Sequence, residues 1–151
     1  MTTRIENEDI LNLLTGRTPL NINRLLTAHL KESDISLTKE QWSVMAVLWK
    51  KNGCNQQEIA DATYRDRPGT TRLLDNLEKD GFIERKPDKT DRRTNLIYLT
   101  TKGKTIEKKV VDALNKTIDT ATKGITDQQI SQLRSIFEQI NNNIQELEII
   151  K

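Results

Sequence analysis

The sequence predicts a mainly α-helical protein with one small β-hairpin, and three observations support that prediction. Apolar residues recur at helical spacing over most of the chain. Only residues 82–99 change period, where FIERK and NLIYL suit two strands on either side of a polar loop headed by Pro87. Helix start signals of the capping-box kind occur three times, at Thr38-x-x-Gln41, Asn55-x-x-Glu58 and Thr126-x-x-Gln129.

Composition indicates a soluble chain of one domain with a large exposed surface, since 34% of the 151 residues are hydrophobic and 30% are charged. The net charge of +2 neither requires nor excludes nucleic acid, because a local patch matters more than a total. One cysteine, Cys54, excludes an internal disulfide framework and a multi-thiolate zinc site, and the single His29 adds little metal-binding capacity. We expect no metal and no cofactor.

The start of the chain, MTTRIENEDILNLL, lacks the basic end and apolar run of a signal peptide. No apolar run approaches the roughly 18 residues of a membrane span. We therefore expect a cytoplasmic protein with no membrane partner. Residues 1–9 are predicted to be a frayed tail that a partner could order, followed by a short apolar patch of Ile10, Leu11, Leu13 and Leu14 that ends near Gly16.

Two helices are predicted in the first third of the chain. Thr18-Pro19 opens the first, as a cap followed by proline at the first helical position. The second begins at Thr38 and is closed by Asn52-Gly53. Their apolar faces comprise Ile22, Leu25, Leu26, His29 and Leu30 in the first, and Trp42, Met45, Ala46 and Trp49 in the second. His29 is either a packed core or interface histidine or a ligand-binding one.

A short helix after Asn55 and an amphipathic helix over residues 67–80 form a helix-turn-helix arrangement. Asp66 is a plausible N-cap, Pro68 suits a first turn, and Gly81 is a natural stop. The second helix carries Leu73, Leu74 and Leu77 on one side, with Thr70 one turn earlier, and Arg72, Asp75 and Lys79 on the other. Such a helix could lie in a DNA major groove, or it could be a solvated amphipathic helix.

Basic charge is concentrated at the tip of the predicted hairpin. Residues 85–93 hold five basic and two acidic side chains, a net charge of +3, whereas residues 55–99 hold nine of each. A solvated turn would not require this concentration. A cationic tip directly after a helix pair is better explained as a contact to phosphates or to a minor groove.

The end of the chain favours a homodimer. Thr100 is predicted to cap a helix that continues to about Thr122, and Gly124 ends it. In the last helix the apolar residues are spaced 3, 4, 3, 4 and 3 apart, which is an a/d heptad seam of Ile130, Leu133, Phe137, Ile140, Ile144 and Leu147. One 17.4 kDa core cannot easily cover so much helical stripe, so we expect a second subunit to cover part of it.

The run DRPGTTRLLDNLEKDGFIERKPDKTDRRTNLIYLTTKG closely resembles the recognition helix and wing of the multiple-antibiotic-resistance regulator (MarR) family of bacterial transcription factors. The family's D-x-R wing signature is matched by Asp91-Arg92-Arg93, followed by Leu99-Thr100 and Gly103, and its second helix by Leu37-Thr38 and Gln41-Trp42. The resemblance implies a winged helix-turn-helix in an intertwined helical dimer. Residues 1–151 would then be a single domain, with dimerisation helices in 1–34 and 101–151 and a DNA-binding lobe in 35–100.

The resemblance also implies a DNA-binding transcriptional repressor whose recognition helices (67–80) enter successive major grooves of a near-palindromic operator. Its wings (82–99) would reach the flanking minor grooves. By position, the base edges or nearby phosphates would be faced by Thr70, Thr71 and Arg72, and the DNA backbone would be contacted by Asn55, Gln56 and Arg67. Arg93 would be the wing-tip arginine, held by Asp91 through a charge-assisted bond. Arg92 would add a phosphate contact. Asp75 and Asp80 would repel phosphates, so the contact surface should be the N-terminal half of the helix.

Members of this family commonly bind small, often phenolic or anionic, molecules between the dimer helices and the DNA-binding lobe, and then lose operator affinity. The residues near that crevice by position are Leu26, His29, Trp42 and Met45, each of which also suits a core role. Some relatives sense oxidants through a cysteine in the first helix, where this chain has none. Cys54 is either an inert thiol or a sensor.

Two other classes of function compete with DNA binding. An enzyme would need convergent nucleophile, base or metal ligands, and the chain offers one histidine, one cysteine and no glycine-rich phosphate loop, so we assign no catalytic residue. A helical interaction module would use the final heptads to bind another protein without touching DNA. That module predicts that Arg93→Ala and Arg72→Ala leave its activity unchanged.

Overall fold

The structure, a computed structural model, describes residue 12 and residues 14–147. The predicted tail, and Ile10, Leu11 and Leu13 of the predicted apolar patch, lie outside the described residues. In chain order the main elements are α1 (Arg17–Glu32), α2 (Lys39–Lys50), β1 (Cys54–Asn55), α3 (Gln56–Thr63), α4 (Arg67–Lys79), β2 (Ile83–Pro87), β3 (Asn95–Leu99), α5 (Thr101–Thr105), α6 (Glu107–Ala121) and α7 (Asp127–Gln145). The fold is therefore mainly helical with a small antiparallel sheet, as predicted.

Side-chain caps fix the starts of most helices. In α2 the Thr38 hydroxyl accepts the Gln41 N–H at 3.2 Å, and the Gln41 side chain accepts the Thr38 N–H at 2.9 Å. The other two predicted boxes, at the starts of α3 and α7, are also formed. Each box pairs two backbone N–H groups that a first turn leaves without helical partners.

Two helix boundaries differ from the prediction. Helix α1 begins at Arg17 after Gly16, which has φ +65° and provides no side-chain cap, so the predicted Thr18 cap is wrong and Pro19 lies within the first turn. The helix predicted from Thr100 to about Thr122 is divided at Ile106 into α5 and α6. Its predicted cap is confirmed, since the Thr100 side chain accepts the Gly103 N–H at 3.1 Å.

The sheet has three strands in the order β1-β3-β2, all antiparallel. Strand β2 pairs with β3 along the predicted hairpin, with Ile83 opposite Leu99 and Pro87 opposite Asn95. The sequence did not predict β1, which pairs Cys54 with Ile97. This short strand joins the start of α3 to the base of the wing, and it thereby fixes the helix pair against the hairpin.

One face of α4 is buried in the core. Leu74 and Leu77 of α4 are fully buried against Val44, Met45 and Leu48 of α2. The same cluster contains residues of the predicted dimerisation helices: Leu26, Leu30, Val110 and Ala113. These helices therefore help to complete the core that supports the helix-turn-helix.

The chain divides into two compact units, Met1–Ile118 and Asp119–Lys151. In the second unit, none of the side chains of α7 is buried, although the whole of that helix is described. Leu133, Phe137 and Leu147 are 46%, 50% and 63% exposed. Within the described part of the chain, no helix is both long and apolar enough to cross a membrane.

Candidate nucleic-acid interface

The amino end of α4 presents short polar side chains to solvent on a rigidly fixed turn. Asp66 has extended backbone angles, and its carboxylate accepts the Gly69 N–H at 2.7 Å, which confirms the predicted N-cap. Thr71 and Arg72 are exposed, while Leu74 and Leu77 hold the opposite face in the core. The observed helix, Arg67–Lys79, agrees with the predicted range of 67–80 to one residue.

Thr70 is buried within the protomer, which contradicts its predicted role at base edges. Its side chain is 0% exposed, and its hydroxyl donates to the Asp66 carbonyl at 2.8 Å. Thr70 lies four and seven residues before Leu74 and Leu77, which places it on the same buried stripe. Of the three residues predicted to face base edges, Thr71 and Arg72 are therefore the two that are exposed.

The Gln56 side chain of α3 forms hydrogen bonds to α4. The Gln56 amide nitrogen donates to the Thr71 hydroxyl at 2.5 Å and to the Arg67 carbonyl at 3.3 Å. The amide nitrogen of Gln56 is therefore engaged by α4, and it is not the group that a phosphate would meet. At this position a phosphate would instead meet the backbone N–H groups at the start of α3, which begins directly after the Asn55 cap.

The hairpin tip is shaped by two aspartates that bind backbone and hydroxyl groups. Asp91 accepts the Arg93 backbone N–H at 3.0 Å and the Thr94 hydroxyl at 3.2 Å. Asp88 accepts both the N–H and the hydroxyl of Thr90, and these bonds lower the pKa of its carboxyl group below the usual range. The predicted charge-assisted bond from the Arg93 side chain to Asp91 is not formed; Asp91 holds Arg93 through the main chain.

As a result, the Arg93 guanidinium has no hydrogen-bond or ion-pair partner within residues 14–147. Arg92 is likewise exposed and unpaired within that range. Unpaired guanidinium groups at the tip of a hairpin remain available to phosphate oxygens or to a minor groove.

Arg85, counted at the sequence level among the cationic residues of the tip, has a different role. Its guanidinium pairs with Glu78 and, at 2.7 Å, with Asp75, and its side chain is only 21% exposed. These two ion pairs link β2 of the wing to the recognition helix, α4. It also neutralises the Asp75 carboxylate, which the sequence marked as a source of repulsion toward phosphate.

Several of the predicted DNA contacts converge on one shallow cleft of about 330 Å³ between the helix pair and the wing. Arg67 lies at the start of α4, Arg93 near the hairpin tip and Arg85 in β2. Asn55 and Gln56 line the same cleft at the start of α3. Because Arg85 is already paired with Asp75 and Glu78, the guanidinium groups of Arg67 and Arg93 and the start of α3 are the features of this cleft that favour the binding of an anion.

The four residues assigned to a ligand crevice do not share a cavity in the described protomer. Leu26 and Met45 are buried core residues. His29 is also buried, and its Nδ1 lies 2.8 Å from the Thr117 hydroxyl, which itself donates to the Ala113 carbonyl at 2.7 Å. His29 therefore donates through Nδ1.

Of these four residues, only Trp42 lines the open groove of about 790 Å³ between α2 and α3. Cys54 lines the same groove as a buried thiol that donates to the Lys51 carbonyl at 3.1 Å. Burial raises the pKa of this thiol, which makes its thiolate scarcer and favours the inert interpretation. Within the described residues, no group of three or more His, Cys, Asp or Glu side chains could hold a metal ion.

Residues 37–94 match the model of the MarR family. The chain is 32% identical over 111 residues to the HTH-type transcriptional regulator TtmR of Methylorubrum extorquens, covering 74% of this chain and 54% of that protein. It is 30% identical over 91 residues to the HTH-type transcriptional regulator BilQ of Clostridium symbiosum, covering 60% of this chain and 63% of that protein. The chain thus spans less than two thirds of the length of these two relatives.

Solved structures agree over nearly the whole chain. The transcriptional regulator SlyA superposes with a TM-score of 0.81 and 28% identity, covering 95% of this chain and 99% of that one. A mutant of MarR from E. coli, complexed with operator DNA, superposes with a TM-score of 0.79 and 25% identity, covering 91% and 99%. With the winged helix-turn-helix, the exposed recognition helix and the arginine-bearing wing, these matches show that the chain belongs to the MarR family.

Proposed function

We propose that this protein is a DNA-binding transcriptional repressor that binds a near-palindromic operator as a homodimer, through recognition helix 67–80 and wing 82–99. One observation carries the proposal: Arg67 and the unpaired Arg93 line one cleft beside an exposed helix start that bears Thr71 and Arg72. Phosphate contacts set the position of such a protein, and contacts to base edges specify the sequence. The operator complex of the MarR mutant, which has the same fold, supports this assignment.

The residues have distinct roles in this proposal. Arg67, Arg92 and Arg93 contact phosphates or the minor groove, and the start of α3 at Asn55 and Gln56 offers backbone N–H groups to a phosphate. Arg72 and Thr71 face base edges in the major groove. Asp91 shapes the turn that projects Arg93, and it does not itself contact DNA.

The apolar seam of α7 supports the proposed homodimer. Leu133 and Phe137 of α7 are 46% and 50% exposed, and we expect another apolar surface to cover them in solution. We propose that residues 1–34 and 101–151 of two subunits form that interface and that each 35–100 lobe binds one half-site, within a single domain of 1–151. Half-sites would lie one helical turn, about 34–36 Å, apart.

Relief of repression by a small phenolic or anionic ligand completes the proposal. The Trp42 indole N–H supports it, because it is buried without a hydrogen-bond partner within the described chain. Leu26 and His29 of α1 and Met45 of α2 are buried, and a ligand among them could alter the packing that supports the helix-turn-helix. Titration with a phenolic acid should change the tryptophan emission and release the operator in parallel.

The alternative classes of function are less well supported. The relatives named above are transcriptional regulators, which are not enzymes. The family match covers the helix-turn-helix and does not include the final heptads, on which an interaction module would depend. A helical interaction module would not need an unpaired arginine at a wing tip. A transcriptional repressor binds chromosomal DNA, so we place this protein in the bacterial cytoplasm.

Replacing Arg93 with alanine should weaken binding to all promoter fragments by a similar factor, because the contact is to the backbone or to minor-groove potential. The slope of log K against log salt should fall by about one per half-site. The measurement is a gel-shift titration at two salt concentrations. Lys109→Ala removes the same charge from the exposed face of α6 and should leave the slope unchanged. An unchanged slope for Arg93→Ala would exclude Arg93 from the contact.

A further inference from the structure

The hydroxyl group of the exposed Thr71 side chain is engaged by two groups within the protein. The hydroxyl donates to the Arg67 carbonyl at 3.0 Å, one turn earlier in the same helix. It also accepts from the Gln56 amide nitrogen at 2.5 Å. A threonine hydroxyl has one hydrogen to donate, and that hydrogen is already engaged. Thr71 therefore has no hydrogen left for an acceptor on a base.

Gln56 stabilises one rotamer of the Thr71 side chain. Threonine in a helix divides between two χ1 rotamers, because its hydroxyl can bond back to the preceding turn. The Arg67 carbonyl can only accept, so the nitrogen end of the Gln56 amide must face both this carbonyl and the Thr71 hydroxyl. Donation from this nitrogen stabilises the rotamer in which the hydroxyl points toward α3.

With its hydroxyl engaged within the protein, the exposed Thr71 side chain has only its methyl group left to offer to DNA. In the major groove, the C5-methyl of thymine is the one apolar feature among the base edges, and a threonine methyl suits contact with it. We propose that Thr71 specifies a thymine in each half-site through methyl–methyl contact, with Gln56 as the positioning residue. This inference rests on the proposed function and adds the chemical character of one reading position.

The two exposed readers then differ in kind. Arg72 is adjacent to Thr71 and exposed, and within the described residues its guanidinium has no partner, so it offers the donors that guanine accepts. Thr71 offers only apolar surface. The arrangement assigns hydrogen-bond readout to Arg72 and methyl readout to Thr71.

The first test uses DNA selected by the wild-type protein from a random duplex pool. Each thymine of the selected site is replaced in turn by deoxyuridine, which removes only the C5-methyl. We expect one thymine position per half-site at which the replacement weakens binding by about fourfold per half-site, the factor for losing one buried carbon group. The other thymine positions should show little effect.

The second test removes the hydroxyl group and the methyl group of Thr71 in two separate variants. Thr71→Val keeps a methyl group and should retain the discrimination between thymine and deoxyuridine. Thr71→Ser keeps only the hydroxyl and should bind both sites equally. The opposite pattern, with serine retaining the discrimination and valine losing it, would overturn the inference.

The role of Gln56 is tested by a pair of variants. Gln56→Leu removes the amide that stabilises this Thr71 rotamer and should reduce the discrimination to less than half of the wild-type factor. Valine has no hydroxyl to orient and strongly prefers one rotamer in a helix, so Gln56→Leu combined with Thr71→Val should restore the discrimination. A merely structural Gln56 would not be rescued in this way, and failure of the rescue would refute its positioning role.

The outcomes separate this inference from the function on which it rests. If the wild-type protein selects no duplex from the pool, the proposed function fails. If it selects a site but tolerates deoxyuridine at every position, only the methyl readout by Thr71 fails.

Discussion

Replacing Phe137 with glutamate is expected to convert the protein to a monomer and to lower operator affinity by at least about 100-fold. Phe137 is half exposed at the middle of the α7 seam, where the proposed second subunit would cover it. Burial of a carboxylate there without a partner would make the free energy of dimerisation less favourable by roughly several kcal/mol, which is enough to dissociate most dimers. Two linked reading heads gain about 10²–10⁴ in avidity over one, and the monomer loses that factor.

Sedimentation equilibrium measures the oligomeric state, and a gel shift on the selected site measures the affinity. Gln132→Glu is the matched control, because it adds the same charge to the polar face of α7 and should leave both unchanged. Far-UV circular dichroism should show that the protomer keeps its helices. A Phe137→Glu protein that remains dimeric at wild-type affinity would show that the seam has another partner.

Local signals made the helices predictable. A capping box acts within four residues, so its side chains and its helix start appear together in the sequence, as at Thr38 and Thr126. The bounds of α4 followed from Asp66 and Gly81 for the same reason. The error at Thr18 has a related cause, since the glycine before α1 caps through its backbone angles and leaves no side-chain signature.

Contacts between distant residues were not predictable in this way. Strand β1 is two residues long and exists because Cys54 pairs with Ile97. Arg85 belongs to the tip by sequence, but the wing folds against α4 and brings it to Asp75 and Glu78. A count of charges along the chain cannot show which cations are neutralised in the fold.

Thr70 shows how two kinds of inference conflict. Transfer of roles by position in the family placed it at base edges, whereas its helical spacing placed it with Leu74 and Leu77. The structure agrees with the spacing. Asp91 illustrates the related case, where the signature residue is present but binds the backbone of Arg93 rather than its side chain. Positional transfer identifies a motif, and geometry decides which atoms of it act.

Replacing Gly103 with alanine should destabilise the DNA-binding lobe severely. A Cβ atom at this position would lie 2.1 Å from the Phe82 carbonyl oxygen and 3.2 Å from a Leu99 methyl group. That carbonyl already accepts the Thr100 N–H at 3.0 Å, so it cannot move without breaking the junction of wing and α5. Overpacking against backbone costs about 3 kcal/mol or more, and for a chain of this size that is a loss of roughly 10 °C in Tm.

Thermal unfolding followed by circular dichroism checks this expectation, with Lys104→Ala as the control. Lys104 is the next residue of α5 and is exposed, so its truncation should change the free energy of unfolding by less than about 0.5 kcal/mol. The Trp49 indole donates to the Gly103 carbonyl at 2.9 Å, so its fluorescence reports the same junction independently. An alanine variant with wild-type Tm and emission would show that the wing and α5 can separate. Gly103 would then be a marker of the family rather than a steric requirement of the fold.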